Sequence, residues 1–332
     1  MRKTENNCRV EGRVYEHDLQ VKTVQNKESA NYGKEFIGGT LDIATDDECL
    51  NIVKVNFTYV VPTFPAKNGK PERPNETYSV LKRIIESGKT VLVDGKDAAT
   101  MVRVSTSLAL NDFYTNRDGQ EVLVSSQRCD GGFVSIINKL GDPKTRSTFS
   151  CDMLINGTEF VEKDEERRIA EDFLKVKGAV FNFRNDLLPV TFIVKNPDGI
   201  KYFEGLDASV ENMSFTKVWG IIRSENIVES SKVESAFGEA AVREYTRSVK
   251  EWIITGTSSP DKMYEVVGDG EDSSQGISTT EIKEAVAKRN IDLAEIKKRA
   301  DEYRASREAA AATTTASSVA AAAAAAAGSF NF

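Results

Sequence analysis

Three alternating stretches, one helical stretch and two further alternating stretches fill the first 145 residues. That order restricts the folds open to the chain more than any other feature. Arg9–Tyr15 places Val10, Gly12 and Val14 on one face and Arg9, Glu11, Arg13 and Tyr15 on the other. Glu35–Ala44 gathers Ile37, Leu41 and Ile43, and Ile52–Val61 gathers Val53, Val55, Phe57 and Tyr59. The spacing then changes. Asn75 can cap a helix whose stripe is Tyr78, Leu81, Ile84 and Ile85, with Gly88 at its end. Strands resume at Met101–Leu110 and Glu121–Arg128, with turns expected at Asp118-Gly119 and Gly131-Gly132.

Three strands, a helix and two strands is the order of a small five-stranded barrel plugged by a helix, the OB-fold. Gly12 suits a first strand that coils tightly around such a barrel. An open sheet with one helix has the same order and stays open. The expected class is mainly β: an OB-fold barrel, a second β-barrel-like domain of OB type, and a C-terminal helical arm. In the second half, Phe149–Ile155, Phe173–Phe183, Pro189–Lys195, Ile200–Glu204, Thr216–Arg223 and Glu251–Gly256 read as strands, with a helix near Ala236–Tyr245. Val176, Gly178 and Val180 repeat the spacing of Val10, Gly12 and Val14. The expected organisation is a barrel over 1–145, a second β domain over 146–265, an acidic linker over 266–277, a helical segment over 278–308 and an Ala-rich tail over 309–332. Within the helical segment, Ser278 and Glu281 form a capping box for one helix to Arg289, and Asp292 caps another to Arg307.

Composition removes several function classes. The formal charge of −7 over 332 residues argues against a simple polyelectrolyte binder but leaves a local basic groove open. Four dispersed cysteines and a single histidine, His17, offer no zinc-ligand spacing and read as reduced thiols and an exposed imidazole. Glu86–Val93 (ESGKTVLV) has Arg83 where a phosphate loop needs glycine, and it leads out of a helix rather than into one. No nucleophile and base stand in a recognisable pattern, so neither an enzyme nor a metal or cofactor site is expected. The first ten residues have no apolar core for a signal peptide, and no run is apolar enough to cross a bilayer. A soluble cytoplasmic protein is expected, in the host bacterial cytoplasm if phage-encoded.

Residues 8 to 138 carry a resemblance. An apolar strand with Val102-Arg103-Val104, the aromatics Phe113-Tyr114, the turn Asp118-Gly119-Gln120, a polar strand and Gly131-Gly132 follow one another in order. The first strand, Val10–Thr23 (VEGRVYEHDLQVKT), and the second, Phe36–Asp46 (FIGGTLDIATD), fit the same series. This resembles the bacterial and phage single-stranded DNA-binding protein family, whose OB-fold carries a tryptophan just before a comparable hairpin. Here Phe113 or Tyr114 stands in its place, the Val61–Pro74 loop is long, and the tail lacks the family's acidic tip.

The resemblance implies a non-enzymatic, sequence-tolerant binder of single-stranded DNA, of a type used in phage replication or recombination. Aromatic rings on a barrel surface stack bases and cations hold phosphates. Tyr15, Phe36, Phe113 and Tyr114 are the expected stacking residues, and Arg9, Arg13, Lys54 and Arg103 the expected phosphate contacts. The terminal aromatics Phe330 and Phe332 are candidates for docking replication or recombination proteins. Two alternatives remain: a structural or protein-interaction role in which the barrels are scaffold, and RNA binding.

Overall fold

The computed structural model describes residues 1–29, 31–66, 71–233 and 241–327. Contacts divide the chain into two units, Met1–Ala109 with Gln127–Lys283, and Leu110–Ser126 with Glu284–Phe332. In the first half, β1 (Asn6–His17), β2 (Gln20–Thr23), β3 (Glu35–Ala44) and β4 (Ile52–Val60) lead to the short pair β5 (Thr63–Phe64) and β6 (Arg73–Pro74). Helices α1 (Glu76–Ser87) and α2 (Val91–Asp94) follow, then the long strands β7 (Met101–Arg117) and β8 (Gln120–Ile136).

Strand pairing closes a barrel. β1 pairs antiparallel with β3, β3 with β4, β4 parallel with β8, β8 lies beside β7, and β7 pairs back onto β1. A helix between the third and fourth strands of such a cycle defines an OB-fold. Asn75 caps that helix by accepting from the Thr77 amide, and α1 buries Tyr78, Leu81 and Ile84.

The second half repeats the cycle. β9 (Ser147–Val161), β10 (Phe173–Phe181), β11 (Leu187–Val194), α3 (Pro197–Glu204), β12 (Ser214–Val233) and β13 (Ala241–Thr257) close in the same order, with β11 parallel to β13. Phe149, Phe192 and Trp252 form its aromatic core, with centroids 4.8, 5.3 and 6.0 Å apart. Each such buried ring stabilises the fold by about 1.5–3 kcal/mol. β1 also pairs antiparallel with β9, from Asn6 opposite Cys151 to Val10 opposite Ser147, so one sheet runs through both barrels.

Glycine is required where the first and second strands of each barrel cross. A Cβ on Gly12 would lie 2.0 Å from the Ala44 carbonyl oxygen, and one on Gly178 2.1 Å from that of Leu154. The shared spacing around the two glycines therefore marks the same crossing, although Gly12 is on the first strand and Gly178 on the second.

Several local expectations change. Ile200–Glu204 is helix, not strand: Asn196 accepts from Asp198 and Gly199, Pro197 occupies the first turn, and these start α3. The helix expected near Ala236–Tyr245 is absent from its described part, since residues 241–245 belong to β13; 236–240 lie outside the described residues. Gly131-Gly132 is not a turn. β8 runs through it with φ of +64° and +107°, and Gly132 sits against the backbone of Ser105. Asp118-Gly119 does turn, both residues having positive φ.

Around residues 266–277, β14 (Glu265–Val267) and β15 (Gly276–Ser278) pair in parallel. Ser278 and Glu281 cap reciprocally, the Glu281 amide donating to Ser278 Oγ at 3.2 Å and the Ser278 amide to the Glu281 carboxylate at 2.9 Å. One helix, α4 (Thr279–Ala327), replaces the two expected, because neither glycine nor proline interrupts its Ala-, Glu- and Lys-rich sequence.

In the second unit the distal ends of β7 and β8 bind α4. Arg289 donates both guanidinium nitrogens to Asp112, at 3.2 and 3.0 Å, and both side chains are largely buried. Glu121 accepts from Lys297 and Arg304. No helix among the described residues is long and apolar enough to cross a membrane.

Candidate nucleic-acid interface

The outer surface of β3 and β4 is built by a bulge. Ile37 pairs with Val60 and Gly39 with Phe57, so β4 holds one extra residue there. Upstream of it Val53, Val55 and Phe57 point into the barrel. Beyond it the alternation slips by one, and Tyr59 turns outward, 44% exposed. Tyr59 was expected inside with the other three. Its ring meets that of Phe36 at 4.8 Å between centroids, tilted by 39°. Just beyond, Arg73 lies over the Phe64 ring at 4.9 Å.

Lys54 rises from the same strand, 58% exposed at its side chain and 3.0 Å from Asp42. Burial pushes the Asp42 carboxyl up and Lys54 only partly offsets it. Asn56 donates to Thr58 and, across to β8, to Asp130. One surface thus presents two rings in contact, an exposed ammonium and amide and hydroxyl groups.

The other basic residues belong to different groups. Arg9 and Arg103 converge on one oxygen of Glu11, each at 2.7 Å, while the Gly141 amide donates to the other oxygen. Glu11 has no exposed surface. Burial raises its pKa, but the Arg9 bond, the Gly141 amide and Arg103 outweigh it and hold the carboxyl at about 2. Both guanidinium groups keep nearly half their surface in solvent. Arg13 is mostly covered, 3.9 Å from Asp47, which also takes buried Arg146 at 2.6 Å. Tyr15 is the extra residue of a second bulge, between Val14 and Glu16, and is half-buried.

Phe113 and Tyr114 lie in the second unit. Phe113 is 42% exposed, and Tyr114 is half-buried with the Lys297 ammonium 5.4 Å above its ring. Phe330 and Phe332 lie outside the described residues. Among the described residues no three His, Cys, Asp or Glu side chains gather as metal ligands.

Two further aromatics line a cleft of about 840 Å3 along the sheet that joins the barrels, together with Arg9, Ser105 and Lys144. Phe133 is 70% exposed, and Trp219 40%. Trp219 faces Gly256 across β12 and β13, and a Cβ there would lie 2.5 Å from the indole nitrogen, so the glycine seats the ring. Phe133 escaped notice because Gly131-Gly132 reads as a turn. The signal for Trp219 was present: Val218, Gly220 and Ile222 turn inward and leave Lys217 and Trp219 outside.

Pairing and surface together define a tandem OB-fold chain whose first barrel carries an aromatic and cationic face. The chain belongs to the YorF family, whose model matches residues 5–299. No curated protein matches it. Similar solved structures include the wild-type single-stranded DNA binding protein from Thermus aquaticus, at 8% identity and a TM-score of 0.43, covering 78% of this chain and 94% of that one. A deletion mutant of the same Thermus protein gives 9% identity and a TM-score of 0.44, covering 81% of this chain and 99% of that one. At this level of similarity neither neighbour bears on function.

Proposed function

We propose that the chain binds single-stranded DNA without catalysis and with little sequence preference, along the outer face of β3 and β4. The observation that carries this reading is the Phe36–Tyr59 ring pair on the outer surface of β3 and β4, which also carries exposed Lys54 and is the face that OB-folds use for oligonucleotides. Unpaired bases offer flat faces to such rings, worth roughly 1–3 kcal/mol per base, and every base has one. Duplex DNA keeps its bases stacked and gains nothing from them. Phosphates are held by Lys54, with Arg9 and Arg103 as further cations on the first barrel. Phe113 and Tyr114 belong to the same reading as stacking residues of the hairpin. Such a protein would cover single strands exposed during phage-type replication or recombination, in the bacterial cytoplasm.

Titration of a labelled oligothymidylate, the matching duplex and the matching RNA tests this. Tight binding of the DNA single strand alone is expected. Equal binding of the duplex refutes base stacking, and a preference for RNA moves the substrate to RNA.

A further inference from the structure

The floor of the cleft where the barrels join is the outer face of five adjacent strands, β12, β9, β1, β7 and β8. Pairing sets its outward side chains in two rows. Trp219 lies opposite Ser150, and Ser150 opposite Asn7. Ile221 lies opposite Thr148, Thr148 opposite Arg9, and Arg9 opposite Ser105. Their neighbours Cys8, Val104, Phe149 and Val218 turn into the cores. The floor between the exposed rings is therefore built of small polar side chains. Trp219 rises at one side from β12. Phe133 rises at the other from β8, next to the glycine that brings that strand against Ser105. Four strand steps of about 4.8 Å separate these two strands, about 19 Å along the sheet, the length of roughly five stacked nucleotides at about 3.4 Å each.

Charge favours an anionic polymer in this place. Among the described residues that line the cleft there is no carboxylate, although the chain carries 51 acidic and 44 basic side chains. Exposed Lys144 and Arg9 do line it. Arg9 shares the buried Glu11 carboxylate with Arg103, so two cations meet one anion and net positive charge remains. A second cleft, of about 580 Å3, shares Asn6, Asn7 and Ser107 with the first and continues to Lys3 and the exposed ring of Phe183. The two clefts adjoin, so an extended ligand can follow both. A second copy of the chain seated there would instead bring another set of the same cations into the cleft.

We propose that the junction cleft is a second contact surface for single-stranded DNA, with bases stacked on Trp219 and Phe133 and phosphates held by Arg9 and Lys144. The inference rests on the single-strand reading above and extends the bound strand onto the sheet that the two barrels share.

The test compares oligothymidylate binding by wild type, Trp219→Ala, Trp219→Phe, Phe133→Ala and Lys144→Gln, with the Phe36→Ala/Tyr59→Ala double variant alongside. Of the two tryptophans Trp252 is buried, so quenching on binding reports Trp219. Wild-type emission should fall as DNA is added, and that of Trp219→Phe should not. Trp219→Ala and Phe133→Ala should each weaken binding by roughly 5- to 150-fold, while Trp219→Phe keeps a ring and most of the affinity. Phe133→Ala removes an exposed ring and leaves both cores intact. Lys144→Gln should reduce the magnitude of the slope of log K against log salt by about 0.7. Unquenched emission, with wild-type affinity in Trp219→Ala and Phe133→Ala, overturns the cleft and leaves the ring-pair groove standing. Unchanged affinity in the Phe36→Ala/Tyr59→Ala variant with the quench retained overturns that groove and leaves the cleft. Dissociation of an oligomer by Trp219→Ala or Phe133→Ala, read by sedimentation, overturns the cleft as a DNA site, because its occupant is then a second copy. If wild type binds no single strand, the functional reading fails and the cleft fails with it.

Discussion

Replacing Glu11 with glutamine tests the electrostatics of the first barrel. The carboxylate is fully inaccessible, accepts from Arg9 and Arg103 at 2.7 Å each and from the Gly141 amide, and is held at about 2 against an ordinary value of 4.5. That depression makes its ionised form worth about 3 kcal/mol to the fold at neutral pH. Because the folded pKa is the lower one, the contribution is complete well above 4.5 and is lost as pH falls toward 2. Glutamine keeps the shape and cannot ionise. The stability gap between wild type and Glu11→Gln should therefore narrow by about 0.8 kcal/mol from pH 7 to pH 4, and by about 2 kcal/mol by pH 3. Urea unfolding followed by circular dichroism reads this directly. A gap below about 1 kcal/mol at pH 7, or one that stays constant down to pH 3, refutes the ionised, doubly paired Glu11.

Three further outcomes follow from the geometry. Gly12→Ala puts a methyl 2.0 Å from the Ala44 carbonyl oxygen and should destabilise the protein by about 1–3 kcal/mol, seen as a lower Tm; an unchanged Tm contradicts the tight crossing. Arg289→Ala takes this cation from the largely buried Asp112 carboxylate, to which the Ser125 hydroxyl still donates, a local loss of roughly 3 kcal/mol, so amide exchange in 110–126 should quicken on the order of 100-fold; unaltered exchange means the pair does not hold the hairpin to α4. Gly256→Val removes the seat of Trp219 and should shift its fluorescence toward solvent exposure, whereas an unmoved spectrum contradicts the seating.

The order of strands around α1 was legible because alternation and helical spacing differ in period. The second barrel was harder to read. α3 has only eight residues, too short for a stripe, and its start signal is Asn196-Pro197 rather than periodicity. Outward-facing residues were legible where alternation ran unbroken, as for Arg9 and Lys54. They were misread where one residue shifts the register. The bulge at Phe57–Val60 turned Tyr59 from an expected core residue into half of the ring pair, and Gly131-Gly132 hid Phe133.

The most direct test of the central claim is fluorescence anisotropy of a labelled oligothymidylate against wild type, Phe36→Ala, Tyr59→Ala and the double variant. Each ring should be worth roughly 5- to 150-fold in affinity. Because the two rings touch at 4.8 Å, the double variant should lose less than the product of the single losses. Duplex binding should stay weak throughout. Single-strand affinity that survives loss of both rings in a folded protein would contradict the account.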